Sequence, residues 1–126
     1  MTKLEQINVL SKQISDIKCD IIKDTIEELN DKYDELIGTY YKDPYNPYFI
    51  HIERIEYIME DFTNKIVPLF IGTKLINYSE SKEIRVFSDR DFLPNLFVQI
   101  SIYKFVEVLN EICNYYREKI DPFYGE

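Results

Sequence analysis

The side chains most often used in catalysis are scarce in this chain of 126 residues. It contains one histidine, His51, and two cysteines, Cys19 and Cys113. A single imidazole excludes any site that needs two, including the di-iron pattern with two E-x-x-H motifs. The cysteines are far apart and form no C-x-x-C motif, and no glycine-rich phosphate loop is present. We therefore expect no metal, no cofactor and no enzymatic activity.

Carboxylates form one spacing that would suit a metal ion. Glu27, Glu28 and Asp31 are followed later by Glu53 and Glu56. Two helices with acids at i and i+3 could hold Mg²⁺ between them, because hard cations bind oxygen ligands. This spacing resembles a loose form of the motif in all-α nucleoside triphosphate pyrophosphatases of the MazG type. The resemblance covers these five carboxylates, and it implies a metal-dependent hydrolase as an alternative function.

The distribution of charge is more informative. The formal net charge of the chain is −8, and residues 20–61 alone hold twelve acids and four bases. Four of the acids recur at helical spacing, and two more lie at the margin of the same face. The acidic face comprises Asp24, Glu27, Glu28, Asp31, Asp34 and Glu35. Such a face would repel nucleic acid and attract a basic protein, such as a nuclease or a nucleic-acid-binding protein.

Tyrosines follow the acidic residues directly. Tyr40, Tyr41, Tyr45 and Tyr48 lie around a turn that contains two prolines. Tyrosine is enriched at protein interfaces because it joins a large apolar ring to a hydrogen-bonding hydroxyl. We predict that these rings belong to the partner-binding surface. Packing of the rings on one another at the end of the fold is the alternative.

Hydrophobic spacing predicts the elements that position these residues. Residues 2–42 read as helical, with Thr2 and Glu5 at the spacing of a capping box. Two apolar stripes follow this region and are rotated by roughly 100° from each other. The stripes are Leu4, Ile7, Leu10, Ile14, Ile17 and Ile21, then Ile22, Ile26, Leu29, Tyr33, Leu36 and Tyr40. Two alternatives explain the stripes. One helix contacts two different neighbours, and in a homodimer one of these neighbours would be the second copy. Alternatively, the helix breaks near Asp20 or Asn30.

The remaining chain predicts further helices. Pro47 starts a second helix with apolar residues at helical spacing, namely Ile52, Ile55, Met59, Phe62 and Ile66. Alternating residues predict a short β-hairpin near 73–88. A strongly apolar helix runs from Leu93 to Ile120 and reads as the central helix of a bundle. The predicted fold is mainly α: one domain over residues 1–126, an antiparallel bundle of three or four helices with that hairpin.

The functional prediction rests on the charge and the tyrosines. We expect a small acidic binding protein that neutralises a basic protein, of the toxin-immunity, antitoxin or phage anti-defence type. A helical sensor domain that binds an apolar ligand is a further alternative. We find no signal peptide and no apolar run near the ~20 residues of a membrane span, so we expect a cytoplasmic protein without membrane contact.

Overall fold

The protein combines two helices with an antiparallel sheet. The structure is a computed structural model that describes residues 2–60, 63 and 65–124, with the backbone alone for residues 120–124. Its elements are α1 (Lys3–Tyr33), β1 (Tyr40–Lys42), β2 (Tyr48–Met59), β3 (Ile66–Asn77), β4 (Lys82–Asp89), β5 (Val98–Ile100) and α2 (Ile102–Tyr124). The five strands form one sheet in the order β4-β3-β2-β1-β5, and all neighbours are antiparallel. The prediction of an all-α bundle of three or four helices is therefore wrong.

The first helix begins as the sequence predicts. The Thr2 hydroxyl accepts a hydrogen bond from the Glu5 amide at 3.2 Å, and the Glu5 carboxylate accepts one from the Thr2 amide at 3.1 Å. This capping box satisfies two amides that the helix itself leaves without partners. The helix continues without a break to Tyr33, so it ends earlier than residue 42. Gly38, with φ of +84°, then turns the chain through the left-handed region into β1.

The predicted second helix is wrong, because residues 48–59 form β2. The sheet register shifts between Ile52 and Arg54, which is a β-bulge. The bulge places Ile50, Ile52 and Ile55 against the same hydrophobic cluster. A regular strand would place residues of one face two positions apart, but here the bulge makes the second interval three. An interval of three also occurs on one face of a helix, so the sequence pattern agrees with a helix. Phe62, which was assigned to this helix, lies outside the described residues.

The C-terminal half differs from the prediction in two ways. The segments expected to form a short hairpin do pair, but they are the ends of β3 and β4 in the larger sheet rather than an insertion in a bundle. The last helix begins at Ile102 rather than at Leu93. Residues Pro94–Leu96 form a 3-10 turn, and the following edge strand β5 pairs with β1.

Hydrophobic clusters lie on both faces of the sheet. On one face, α2 covers the strands through Phe105, Val108 and Ile112, which pack on Phe49 and Leu75. The cluster on the other face contains Tyr41, Ile50, Ile52, Phe70 and Phe92, with Tyr33 from the end of α1 packed against it. The helix α2 is therefore a surface layer on the sheet, not the centre of a bundle. Neither α1 nor α2 is long and apolar enough, over the residues described, to span a membrane.

Candidate functional site

The C-terminal half of α1 is attached to the sheet by the second apolar stripe. Ile22, Ile26, Leu29 and Tyr33 are half-buried, and the Tyr33 ring meets the edge of Phe70 at a centroid distance of 5.4 Å. No residue of α1 is fully buried. Of the two alternatives left by the sequence, the structure therefore has the single helix, whose second stripe packs on the protein's own sheet.

Four residues of the acidic face lie on the other side of α1, namely Asp24, Glu27, Glu28 and Asp31, whereas Asp34 and Glu35 follow in the 3-10 turn Asp34–Leu36. All six carboxylates of the face, from Asp24 to Glu35, are exposed. At about 100° per residue, the mean direction of Asp24, Glu28 and Asp31 is about 160° away from the stripe that packs on the sheet. The part of the face on α1 therefore points into solvent, away from the sheet, whereas Asp34 in the turn is close enough to Tyr57 of β2 to affect its pKa.

The charge of the acidic face is not neutralised within the described residues. The ion pairs among the described residues are Arg54–Glu56, Arg85–Glu83 and Lys104–Glu107. All three lie on the sheet or on α2, and none includes a residue of the acidic face. Lys32 is the only base between residues 24 and 35, and its ammonium lies 5.1 Å from the centroid of the Tyr33 ring, on the sheet side. Five net negative charges thus remain on less than four turns of chain.

The first apolar stripe of α1 is also exposed. Ile7, Leu10, Ile14, Ile17 and Ile21, which we call the apolar seam, are each 55–59% exposed. Their spacing of 3, 4, 3 and 4 residues is the a/d repeat of a coiled coil. The stripe was predicted from the sequence, but its a/d repeat was not recognised. That repeat could have predicted that this side of α1 is exposed in the single chain. Asp24 and Glu28 take the next positions of the same repeat, so one side of α1 changes from apolar to acidic along its length.

The four tyrosines do not share one environment. Tyr41 is 4% exposed and packs on Phe92, whereas Tyr45 is 92% exposed at the turn after β1. Tyr40 is half-buried and stacks on His51 at 4.2 Å. The hydroxyl of Tyr48 lies 3.0 Å from that of Tyr78. Tyr45 is therefore the one member of this set whose ring is wholly available to a partner.

The turn that carries Tyr45 is well defined. The Asp43 carboxylate accepts hydrogen bonds from the amides of Tyr45 at 2.8 Å and Asn46 at 3.2 Å. The bond from Tyr45 is the main cause that holds the pKa of Asp43 below its ordinary value, with a smaller contribution from Asn46. Pro47 accepts a backbone hydrogen bond from Asn77, which places the turn beside the β3–β4 connection. Strand β1 separates it from the end of the acidic face.

The proposed metal-binding carboxylates are not brought together. Glu53 and Glu56 lie on β2, where Glu53 accepts a hydrogen bond from Thr73 at 2.7 Å and Glu56 pairs with Arg54. Glu27, Glu28 and Asp31 lie on the outer side of α1. Among the described residues, no group of three or more acids, histidines or cysteines is arranged to hold a metal ion.

The remaining candidate side chains have structural surroundings. Nδ1 of His51 lies 3.2 Å from the carbonyl oxygen of Thr39, which can only accept, so this nitrogen carries the proton. Cys19 and Cys113 are both free and exposed. The hydroxyl of Tyr57 is buried without a hydrogen-bond partner among the described residues. Burial, and then the nearby charge of Asp34, raise the pKa of Tyr57.

A cleft of about 600 Å³ lies between the end of α1, the start of β3 and the segment after β4. Its walls include the apolar side chains of Tyr33, Phe70 and Phe92, with Lys65 and Arg90 among the charged groups. Its volume falls within the range of ligand pockets. The sensor interpretation would place its apolar ligand here.

Comparison of the chain with protein-family models, with curated proteins and with solved structures gave no significant match. Its function must therefore be argued from the chain's own surfaces.

Proposed function

We propose that this protein is a small, non-enzymatic binding protein that neutralises a basic protein partner. The observation that carries the proposal is the acidic face, whose six carboxylates are exposed and lack ion-pair partners among the described residues, with those on α1 pointing away from the sheet. A toxin-immunity protein, an antitoxin or a phage inhibitor of host defence would each fit this description.

The charge supports this function through the rate of association. A concentrated negative surface attracts a positive one over about a Debye length and orients it before contact, which raises the association rate by about 10- to 1,000-fold. Because phosphate groups would be repelled, the suitable partner is a basic protein rather than nucleic acid itself. A nuclease or a nucleic-acid-binding protein presents such a basic site, and covering that site would block it.

Attachment of the helix also supports docking. The acidic residues Asp24 to Asp31 lie on the part of α1 whose opposite side is half-buried at Ile22, Ile26 and Leu29 and which packs on the sheet at its end through Tyr33. Their backbone is therefore already ordered before a partner arrives. A surface that is ordered in advance loses less conformational entropy on binding.

Capture from cell extract with paired charge variants tests the proposal. One variant replaces Asp24, Glu28, Asp31 and Glu35 by Lys. The matched control replaces the exposed acids Glu80, Glu107 and Glu118 and the half-buried Glu83 by Lys, so both variants have a formal net charge of 0 instead of −8.

We expect a basic protein to be retained by the wild type and the control but lost from the α1 variant. The proposal is wrong if the two variants retain the same proteins, or if the proteins lost from the α1 variant are acidic.

A further inference from the structure

The proposed function does not use the apolar seam of α1. Each of its five side chains is more than half exposed, although isoleucine and leucine are usually buried. Leu4, 67% exposed, extends the same apolar surface toward the start of the helix. By their usual transfer values, these six side chains leave roughly 350 Å² of apolar surface in water, which matches the largest patch of a typical monomer.

The described residues outside α1 do not cover the seam. The stripe that packs on the sheet is rotated by roughly 100° from it, and it begins only at Ile22. Near that point, Ile21, Ile22 and Met59 line a shallow groove at the end of β2. The part of α1 from Lys3 to Lys18 precedes this groove, and none of its residues is buried.

We propose that a second copy of this chain covers the seam, in an antiparallel coiled coil formed by the first five turns of α1. A repeat of a and d positions is the pattern with which two helices pack side chains between each other. In the register we infer, Ile7 of one copy faces Ile17 of the other, and Leu10 faces Ile14. Ile21 of one copy is covered by the apolar stem of Lys3 of the other. The Lys3 ammonium then lies next to Asp24 of the copy that carries this Ile21.

The acidic face decides the orientation. In a parallel dimer, Asp24, Glu28 and Asp31 would continue the seam and face their own copies, so like charges would oppose one another. In the antiparallel arrangement, the partner helix ends at its Thr2 cap before it reaches these residues. Beyond Asp24, both acidic faces stay free at opposite ends of the dimer, which would therefore present two binding surfaces for basic partners.

The size of the interface is sufficient for a reversible dimer. Two seams, each extended by Leu4, together offer roughly 700 Å² of apolar surface, and the cores of homodimer interfaces are about 65% apolar. The total buried area is then about 1,100 Å², just above the ~1,000 Å² that a specific interface needs. We therefore expect a monomer–dimer equilibrium that depends on protein concentration.

Sedimentation equilibrium on the full chain tests the dimer. Ile14→Gln removes an apolar side chain from the centre of the seam in both copies, and we expect it to raise the dissociation constant about 100-fold. Val9→Gln is the matched control, because Val9 is 45% exposed on α1 but lies outside the a and d positions. Near-UV circular dichroism checks that the sheet is intact. A wild type that stays monomeric at sub-millimolar concentration, or equal effects of the two variants, would overturn the proposal.

Disulfide formation tests the orientation. In a background with Cys19→Ser and Cys113→Ser, we expect chains with Ile7→Cys to cross-link to chains with Ile17→Cys. Chains with Ile7→Cys alone should remain free, because their two cysteines would be about 15 Å apart along the helix axis. Efficient cross-linking of Ile7→Cys to itself would show a parallel dimer and refute the proposed arrangement.

Discussion

Replacement of Gly72 by alanine is expected to cause a large loss of stability. Gly72 pairs with Ile52 on β2, next to the bulge. A Cβ atom at this position would lie 1.7 Å from the carbonyl oxygen of His51 and 2.9 Å from its carbonyl carbon. Ordinary contacts are about 3.5–4.0 Å, so the strands would have to separate by about 2 Å. Because backbone atoms oppose the methyl group, no side-chain rotation relieves the clash.

The magnitude follows from this geometry. Overpacking of a core costs about 1–3 kcal/mol when side chains can adjust, and displacement of a central strand also disturbs its hydrogen bonds, so we expect about 4 kcal/mol. Gly38→Ala is the matched control. Its φ of +84° is strained for alanine, but among the described residues, apart from Gly38 and its two chain neighbours, no heavy atom lies within 4 Å of the added Cβ. We expect only about 1–2 kcal/mol there, the usual cost of the left-handed conformation.

Urea unfolding of both variants, followed by circular dichroism, gives the free energy of unfolding for comparison with the wild type. Failure of the Gly72 variant to fold while the Gly38 variant folds would agree with the prediction. A Gly72 variant that loses no more stability than the Gly38 variant would refute the register of β2 and β3 at the bulge.

Three further predictions concern single side chains and use the same unfolding assay. Tyr41→Ala should cost about 3–5 kcal/mol because it empties a core position, whereas Tyr45→Ala should change stability by less than about 0.5 kcal/mol; equal effects would contradict their different burial. Tyr57→Phe removes a buried hydroxyl that has no hydrogen-bond partner among the described residues, so the variant should be as stable as the wild type or more stable by up to about 1 kcal/mol. The pKa of Tyr57 is raised in the folded state, so folding disfavours its ionised form. The wild type therefore keeps its stability below the ordinary pKa of 10 and loses some of it as the pH rises through the folded-state value, and the variant should lose less stability in alkali. The lowered pKa of Asp43 contributes stability that is present above its ordinary pKa of 3.8 and is lost as the pH falls through the folded-state value, so Asp43→Asn should flatten the acid limb of a stability–pH profile.

Local signals at the start of α1 were read correctly from the sequence. Thr2 and Glu5 form a capping box through contacts only three residues apart, so no knowledge of the remaining fold is needed. The end of the same helix was missed because the apolar spacing continues to Tyr40. Gly38 was the signal that the spacing concealed, since its left-handed conformation, just after the 3-10 turn, is not compatible with a helix that runs to residue 42.

The strands were missed for a tertiary reason. The sheet has hydrophobic clusters on both faces, so β2 does not alternate between apolar and polar residues as a half-exposed strand would. The bulge between Ile52 and Arg54 then adds a spacing of three residues that agrees with a helix. The remaining signal was composition, because β2 is rich in isoleucine and aromatic residues, which favour strands.

The candidate surface was predictable where it depends on α1 alone. The exposure of the acidic face follows from its angle to the stripe Ile22–Tyr33, which the sequence contains. The separation of Tyr41 from Tyr45 does not follow in this way. It depends on β1 pairing with β2 and on Phe92 covering that face of the sheet.

The central claim is that the acidic face of α1 docks a basic protein. Its most direct test is the association rate constant with the captured partner, measured by stopped flow over a range of salt concentrations. We predict that Lys at positions 24, 28, 31 and 35 slows association at low salt by about 10- to 1,000-fold and removes most of the salt dependence, while the control with Lys at positions 80, 83, 107 and 118 keeps the steep salt dependence of the wild type. Equal rates for the two variants, or a wild-type rate that does not change with salt, would contradict the claim.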